Sequence, residues 1–316
     1  MKILLTGASS FTGAWFARAL HGAGHHVVMP LRGDASSYTQ GIRADRVRGL
    51  TSFGEVVWGC AFGTPRFIGM AAAGNWDLLC HHAARVGDYR ASDFDVTGAV
   101  AENTHALPEV LAAMRGLRGI VLTGSVFEAD EGAGSRPLRA FSPYGLSKSL
   151  TGHVVRHWCE MVQLPLARFV IPNPFGPYEE PRFGAYLVRC FLRGEVAEVR
   201  TPLYVRDNIH VDLLAARYAA FCATFVAGTT WLRLNPSGYV ESQGSFARRF
   251  AEQMSSRLGG PCEVRLGQQT DFSEPLMRVN TDPAAPEVAG WNESAAWDAI
   301  ADFYAPERGT LAGEKI

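Results

Sequence analysis

Several things are missing from this chain of 316 residues: a basic block, a C-x-x-C pair, and any apolar run near the ~18 residues a membrane-spanning helix needs. Lys and Arg number 30 against 31 Asp and Glu, for a net charge of −1, so neither nucleic acid nor an anionic membrane is expected as a partner. The six cysteines, at 60, 80, 159, 190, 222 and 262, are scattered, which argues against a zinc site and against a disulfide framework. Neither His81–His82 nor the pair His153 and His157 has companions in a spacing that suggests metal, so no metal site is expected. The first residues read as a strand without a signal-peptide pattern, and a reduced, cytoplasmic setting follows as an expectation. No internal repeat or low-complexity tract is present. A complete three-glycine dinucleotide loop is also lacking: at the expected spacing stand Gly7, Ser10 and Gly13.

What is present is an alternation. Hydrophobic residues make up 47% and charged residues 19%, enough for a sizeable globular core. Apolar strand-like runs at 2–5, 27–31, 56–58, 78–81, 120–123 and 167–171 are separated by helix-like stretches, notably 14–23, 97–114 and 144–162. Such alternation predicts right-handed βαβ crossovers, hence an α/β fold with a doubly wound parallel Rossmann sheet. After Ile171 the chain turns to PNPFGPYEEPRFG, dense in Pro and Gly, which marks entry into a smaller, mixed α/β substrate lobe. The expected division is a dinucleotide-binding domain over 1–171 with a return segment near 205–230. The substrate lobe takes 172–204 and 231–305, and 306–316 is a loose tail.

Two clusters carry chemistry. In KILLTGASSFTG, strand, turn and helix N-terminus combine into an anion site, with free backbone amides and the positive helix end facing a pyrophosphate. Gly7 makes the turn and Gly13 the close helix–strand contact, while Ser10 brings a hydroxyl that could donate to phosphate. Ser9, Phe11 and Thr12 complete the loop. About 140 residues on, Tyr144 and Lys148 stand one helical turn apart, so an ammonium lies beside a phenol. That neighbour is expected to lower the phenol's pKa and equip Tyr144 to exchange a proton with a substrate oxygen.

With these elements in order, the chain resembles the extended short-chain dehydrogenase/reductase family, the NAD(P)-dependent nucleotide-sugar epimerases, dehydratases and reductases. TGASSFTG is similar to the family's cofactor loop, and LLCHHAA to the strand and turn bordering the nicotinamide, which implies contacts from His82, Ala83 and Ala84. LTGSVFE resembles the strand end supplying the catalytic hydroxyl, implying Thr123, with Ser125 competing for the role or touching substrate. SPYGLSK resembles the tyrosine-lysine helix: Tyr144 as proton donor, Lys148 as ribose ligand. RFVIPNPFGP is similar to the stretch leading from nicotinamide to sugar nucleotide, implying Ile171 and Asn173. VRDNIHVDLLA resembles the segment whose arginine, here Arg206, meets the diphosphate, with Arg278 as a second arginine at that end.

Departures narrow the reading. Gly124 and Ser125 stand where the family's dehydratases carry an acidic pair, so water elimination is disfavoured, and Glu128 is read as a loop carboxylate. At the end of the second strand Leu31 and Arg32 replace the carboxylate that selects NAD, and an arginine there suits a 2′-phosphate. The expectation is NADP(H), with NAD(H) the alternative, serving reduction of a C4 keto group on a nucleotide-activated deoxysugar. A C4 epimerase on the same residues is the second reading, and a non-catalytic NADP sensor the third. Val100, Leu107, Leu111, Val154, Trp158 and Met161 on the two long helices exceed what one sheet face needs, which predicts a homodimer.

Overall fold

The computed structural model describes residues 1–134, 136–226, 231–283 and 291–307. The first half runs β1 (Lys2–Thr6), α1 (Phe11–Gly22), β2 (His26–Pro30), α2 (Gly41–Leu50), β3 (Glu55–Val57), α3 (Pro65–Ala73), β4 (Leu78–His81), α4 (Val96–Asn103) and α5 (Leu107–Ala113). Next come β5 (Gly119–Ser125), β6 (Ala133–Gly134), α6 (Pro143–Met161), β7 (Leu166–Ile171), β8 (Asn173–Phe175), α7 (Phe183–Leu192) and β9 (Ala197–Val199). The last part holds β10 (Val205–His210), α8 (Val211–Val226), β11 (Trp231–Leu234), β12 (Tyr239–Ser242), α9 (Gln243–Leu258), β13 (Val264–Leu266), β14 (Met277–Val279) and α10 (Glu293–Tyr304).

Seven parallel strands form the main sheet in the order β11-β7-β5-β4-β1-β2-β3. Both faces are covered. Ile3 and Leu5 join one core with Phe16, Tyr218 and Phe169, whereas Leu4 between them joins the opposite core with Phe67, Leu111 and Ile120. That split is the side-chain alternation of a strand buried on both sides. On the first face Phe16 of α1 stacks on Tyr218 of α8 with ring centroids 3.9 Å apart. A smaller sheet, β12-β10-β14-β6 with β8 also on β10, mixes parallel and antiparallel pairs, and a two-stranded piece joins β13 to β9. Its lobe has its own aromatic core of Phe175, Phe246, Phe250 and Trp297.

Most elements start where local chemistry dictates. Ser10, Thr64, Ser142 and Asn292 cap α1, α3, α6 and α10 with side-chain oxygens, and Pro143 occupies the first turn of α6, where a missing N–H costs nothing. The single helix expected over 97–114 is two, α4 and α5. Thr104–Ala106 interrupts it, with Ala106 at φ 46° just before the Leu107–Pro108 start of α5. Pro108 cannot donate a hydrogen bond back to the preceding turn, so the α4 ladder does not run through it and a new helix starts with the proline in its first turn, where no N–H is needed. The expected return segment also divides. β10 lies in the smaller sheet, α8 packs on α1, and β11 adds a seventh strand beside β7. The tail expected at 306–316 lies from 308 onward outside the described residues; Glu307 before it is held by Arg189, Nε to Oε2 at 2.9 Å. No helix among the described residues is long and apolar enough to cross a membrane.

Candidate functional site

The strand order changes direction between β1 and β4: β2 and β3 lie to one side, β5, β7 and β11 to the other. Ligands of open α/β sheets bind in the crevice at such a point, outside the carboxyl ends of the strands. The loop after β1 and the turn after β4 meet there. Gly7 has φ 77°, and a Cβ on it would fall 2.7 Å from the Ala83 amide nitrogen. One on Gly13 would fall 2.2 Å from the Gly7 carbonyl oxygen. Both glycines are therefore required by close backbone approach. Thr6 Oγ1 accepts the amides of His82 (3.1 Å) and Ala83 (3.0 Å), fixing one loop against the other. The first-turn amides of α1 at Phe11 and Thr12 have no intrahelical acceptor, and so suit a dinucleotide pyrophosphate.

Ser10 departs from expectation. Its hydroxyl is turned inward, donating to Gly7 O (2.9 Å), accepting the Gly13 N–H (3.1 Å) and facing His82 Nε2 at 3.0 Å. It caps the helix and is not a free phosphate donor. Arg32 departs too. Its guanidinium is 70% exposed and pairs with Glu102 at 2.8 Å. The cation at the loop is Arg43 of α2, whose Nη2 and Nε donate to Ser9 Oγ at 2.9 and 3.3 Å. Beneath it the buried Arg46 holds the Ser9 carbonyl (3.3 Å) and pairs with Glu180 at 2.7 Å. Leu31 is buried at the end of β2, so no carboxylate stands there.

Lys148 of α6 meets Thr123 at the end of β5, one helical turn on from Tyr144. Lys148 donates from Nζ to the Thr123 carbonyl oxygen at 2.7 Å, and Thr123 Oγ1 lies 3.0 Å from His82 Nδ1. No hydroxyl or carbonyl among the described residues hydrogen-bonds the Tyr144 phenol; Phe94 stands edge-on to its ring at 6.0 Å. The expected depression of the phenol's pKa is absent. Burial, reinforced by the negative charge of Glu128, pushes it up to about 12, because the Lys148 ammonium is turned to the β5 carbonyl. Lys148 itself is pushed down to about 8 by burial, with the Arg168 charge acting the same way against the opposing pull of Glu128.

Glu128 lies in the turn after β5, as expected of a loop carboxylate, but it is not a free one. It is buried, accepts the Ser125 amide on Oε1 (2.8 Å) and pairs with Arg168 on Oε2 (2.5 Å). Arg168 also reaches Glu131, 3.8 Å away, and Glu131 in turn pairs with Arg233 and accepts from Asn235 Nδ2 (2.9 Å). Ser125 is thereby engaged through its own strand end, its Oγ accepting the Phe127 amide at 3.2 Å. Ile171 pairs in register with Ser125, and its carbonyl accepts the Val126 amide at 3.0 Å. Asn173 enters β8 beside Asn208, and its Nδ2 is buried without a partner among the described residues.

The two arginines expected at the diphosphate are committed within the protein. Arg206 is buried, donates from Nη2 to Glu274 (2.7 Å) and from Nη1 to the Val205 and Pro275 carbonyls (2.9 and 3.0 Å). Arg278 donates to the carbonyls of Val126 (2.8 Å), Arg139 (3.1 Å) and Glu128. That makes Arg278 a brace between the lobes, a correction to the ligand role expected of it; Arg206 reaches a diphosphate only by leaving Glu274. No group of His, Cys, Asp and Glu able to hold a metal exists among the described residues. Arg43, Glu128 and His82's bridging role were invisible in the sequence, since each depends on a partner 34 to 72 residues away.

The NAD dependent epimerase/dehydratase family model matches residues 3–230, and the chain belongs to that family. Comparison with curated protein sequences gives no match. Among solved structures, a UDP-glucuronic acid 4-epimerase mutant from Bacillus cereus, with UDP-4-deoxy-4-fluoro-glucuronic acid and NAD, superposes at TM-score 0.72 and 17% identity, over 97% of this chain and 99% of that one. The dTDP-glucose 4,6-dehydratase of Streptomyces venezuelae gives 0.70 at 18%, over 98% of each chain. A UDP-glucose 4-epimerase from Thermotoga maritima with UDP-glucose gives 0.69 at 16%, over 97% and 99%. At these identities the likeness is one of fold.

Proposed function

We propose that this chain reduces a keto group, at C4, of a nucleotide-activated deoxysugar with NADP(H). The observation that carries the reading is the Tyr144 phenol: its pKa raised by burial, without a hydrogen-bond partner among the described residues, and one helical turn from the Lys148 that holds the Thr123 carbonyl, it is suited to act as an acid. When bound, the cofactor supplies hydride from its nicotinamide. Tyr144 donates its proton to the reacting oxygen, Thr123 donates a hydrogen bond to the same atom, and Lys148 holds both the β5 carbonyl and the cofactor ribose. Gly124 and Ser125 offer no acid for expelling water, which separates this site from a dehydratase. The nucleotide-sugar substrate class is supported by family membership. The test is NADPH oxidation with a panel of nucleotide 4-keto-6-deoxysugars. Inactivity on all of them, with NAD co-purifying and C4-inverted sugar appearing, would favour the epimerase reading instead.

NADP(H) preference rests on the missing β2 carboxylate and on Arg43 at Ser9. A guanidinium chelates a phosphate dianion but gains little from a ribose hydroxyl. Arg43→Ala is therefore expected to weaken NADPH by about tenfold or more and NADH little, a loss of about 1.4 kcal/mol or more in a charge-assisted contact. Arg32→Ala is expected to cost much less, since its partner is Glu102. Titrating both cofactors against both variants by fluorescence decides between the two arginines.

A homodimer remains the expected assembly, through a narrower surface than the helix patterns suggested. Leu107 and Leu111 are buried in their own subunit's core. The exposed stripe on α6 is Leu146, Leu150, His153, His157 and Met161, spaced along one helical face. Light scattering at micromolar concentration is expected to give about twice the 34.3 kDa chain mass; a monomer would show the stripe to be unpaired.

A further inference from the structure

The His82 side chain touches both the cofactor loop and the catalytic strand end. Its Nε2 faces Ser10 Oγ at 3.0 Å and Thr12 Oγ1 at 3.1 Å, both on the first turn of the dinucleotide helix. Its Nδ1 faces Thr123 Oγ1 at 3.0 Å. The ring packs edge-on against Phe16, centroids 5.1 Å apart, and its own amide is fixed to Thr6. Burial, then the nearby Lys148 and His81 charges, push its pKa down to about 3, so the ring is neutral at working pH and carries one proton. A neutral imidazole donates at one nitrogen and accepts at the other.

Which nitrogen donates follows from the hydroxyls. Thr12 Oγ1 has no other hydrogen-bond partner among the described residues, and Ser10 Oγ already accepts the Gly13 amide. Ser10's own proton goes to the Gly7 carbonyl, so it is the Thr12 hydroxyl, with no other acceptor among the described residues, that gives its proton to Nε2, which makes Nε2 the acceptor and leaves the ring proton on Nδ1. We propose that His82 is a positioning residue that donates from Nδ1 to Thr123 Oγ1, turning the threonine's own proton towards the reacting oxygen and tying that orientation to the cofactor loop. A threonine hydroxyl without such a donor rotates among three staggered positions and can offer its proton to other acceptors. With the donor in place, the orientation at the catalytic hydroxyl is preset when the cofactor seats on the loop that Ser10 and Thr12 belong to. The catalytic meaning of this rests on the reductase reading above; the hydrogen bond itself does not.

The test is made on the full chain with NADPH bound. Imidazole 15N–1H spectra of the protein report ring charge and tautomer directly. His82 is expected to be neutral with its proton on Nδ1 between about pH 5 and 8, and Thr123→Val is expected to move its Nδ1 resonance. On NADPH-dependent turnover of a nucleotide 4-keto-6-deoxysugar, His82→Phe keeps the ring packing and is expected to lower kcat about tenfold, the worth of one well-placed hydrogen bond. KM and NADPH affinity stay near wild type. His82→Asn, whose amide reaches the former Nδ1 position, is expected to restore most of the kcat and also serves if the Phe variant folds poorly. A ring protonated on Nε2, or an Nδ1 resonance indifferent to Thr123→Val, overturns the proposal. Failure of the reductase reading shows separately, as a wild-type protein that oxidises no NADPH while the His82 resonances behave as expected.

Discussion

Tyr144→Phe is expected to retain NADPH binding and fold while losing roughly 100- to 10,000-fold in turnover, the usual contribution of a positioned general acid. Only a hydroxyl is removed, and no protein group among the described residues hydrogen-bonds it, so the deletion leaves no orphaned partner behind. The phenol's pKa, raised to about 12 by burial and by Glu128, adds a second signature. In reduction the acid must be protonated, and it stays so across the neutral range. Turnover should then be flat through neutrality, with any basic limb appearing only near the phenol's own pKa or where Lys148, at about 8, loses its charge. Steady-state kcat and KM against pH, with NADPH affinity measured in parallel, separate these cases. A Phe variant with near-normal kcat would remove Tyr144 from the chemistry.

The sequence carried the fold because its signals are local. Alternating apolar runs, Ser and Thr caps, and glycines at a strand-to-helix turn each act within a few residues, and they placed β1, β4, β5 and α6 to within one or two positions and the start of α1 to within three. It carried the grouping of Thr123 with Lys148 for the same reason, since the linking helix begins at a Ser142–Pro143 signal. Polar pairing across the sheet was another matter. Arg168 meets Glu128 only because β5 and β7 are adjacent and in register, which aligns Thr123 with Phe169 and Ser125 with Ile171. Arg206 finds Glu274 because β10 and β14 lie side by side. The error over Tyr144 had one cause: i,i+4 spacing brings two backbones into line, but the long Lys148 side chain chose a carbonyl across the interface. The direction of Arg32 was not legible either, as a residue at a strand end has no fixed direction until its neighbours are known, and Glu102 is its neighbour.

Arg168→Met is expected to destabilise the fold by about 3–5 kcal/mol, the usual consequence of leaving one member of a buried ion pair without its partner. The Arg168 and Glu128 side chains are 12% and 2% exposed, so water cannot take over the solvation of the remaining carboxylate. Adding Glu128→Met should recover most of the loss, because two apolar side chains of similar length need no partner. Glu131 would still be held by Arg233 and Asn235. Urea melts of the two single variants and the double variant give the comparison; a double variant as unstable as the sum of the singles would show that the pair is not one coupled unit. The double variant also tests the link to chemistry. Glu128 raises the Tyr144 pKa and anchors the Ser125 amide two residues beyond Thr123. Without it, the phenol's pKa should fall from about 12 towards its ordinary value while burial still holds it above. Any basic limb of the pH–rate profile due to the phenol would then move to lower pH in a protein that is folded, cofactor-binding and less active.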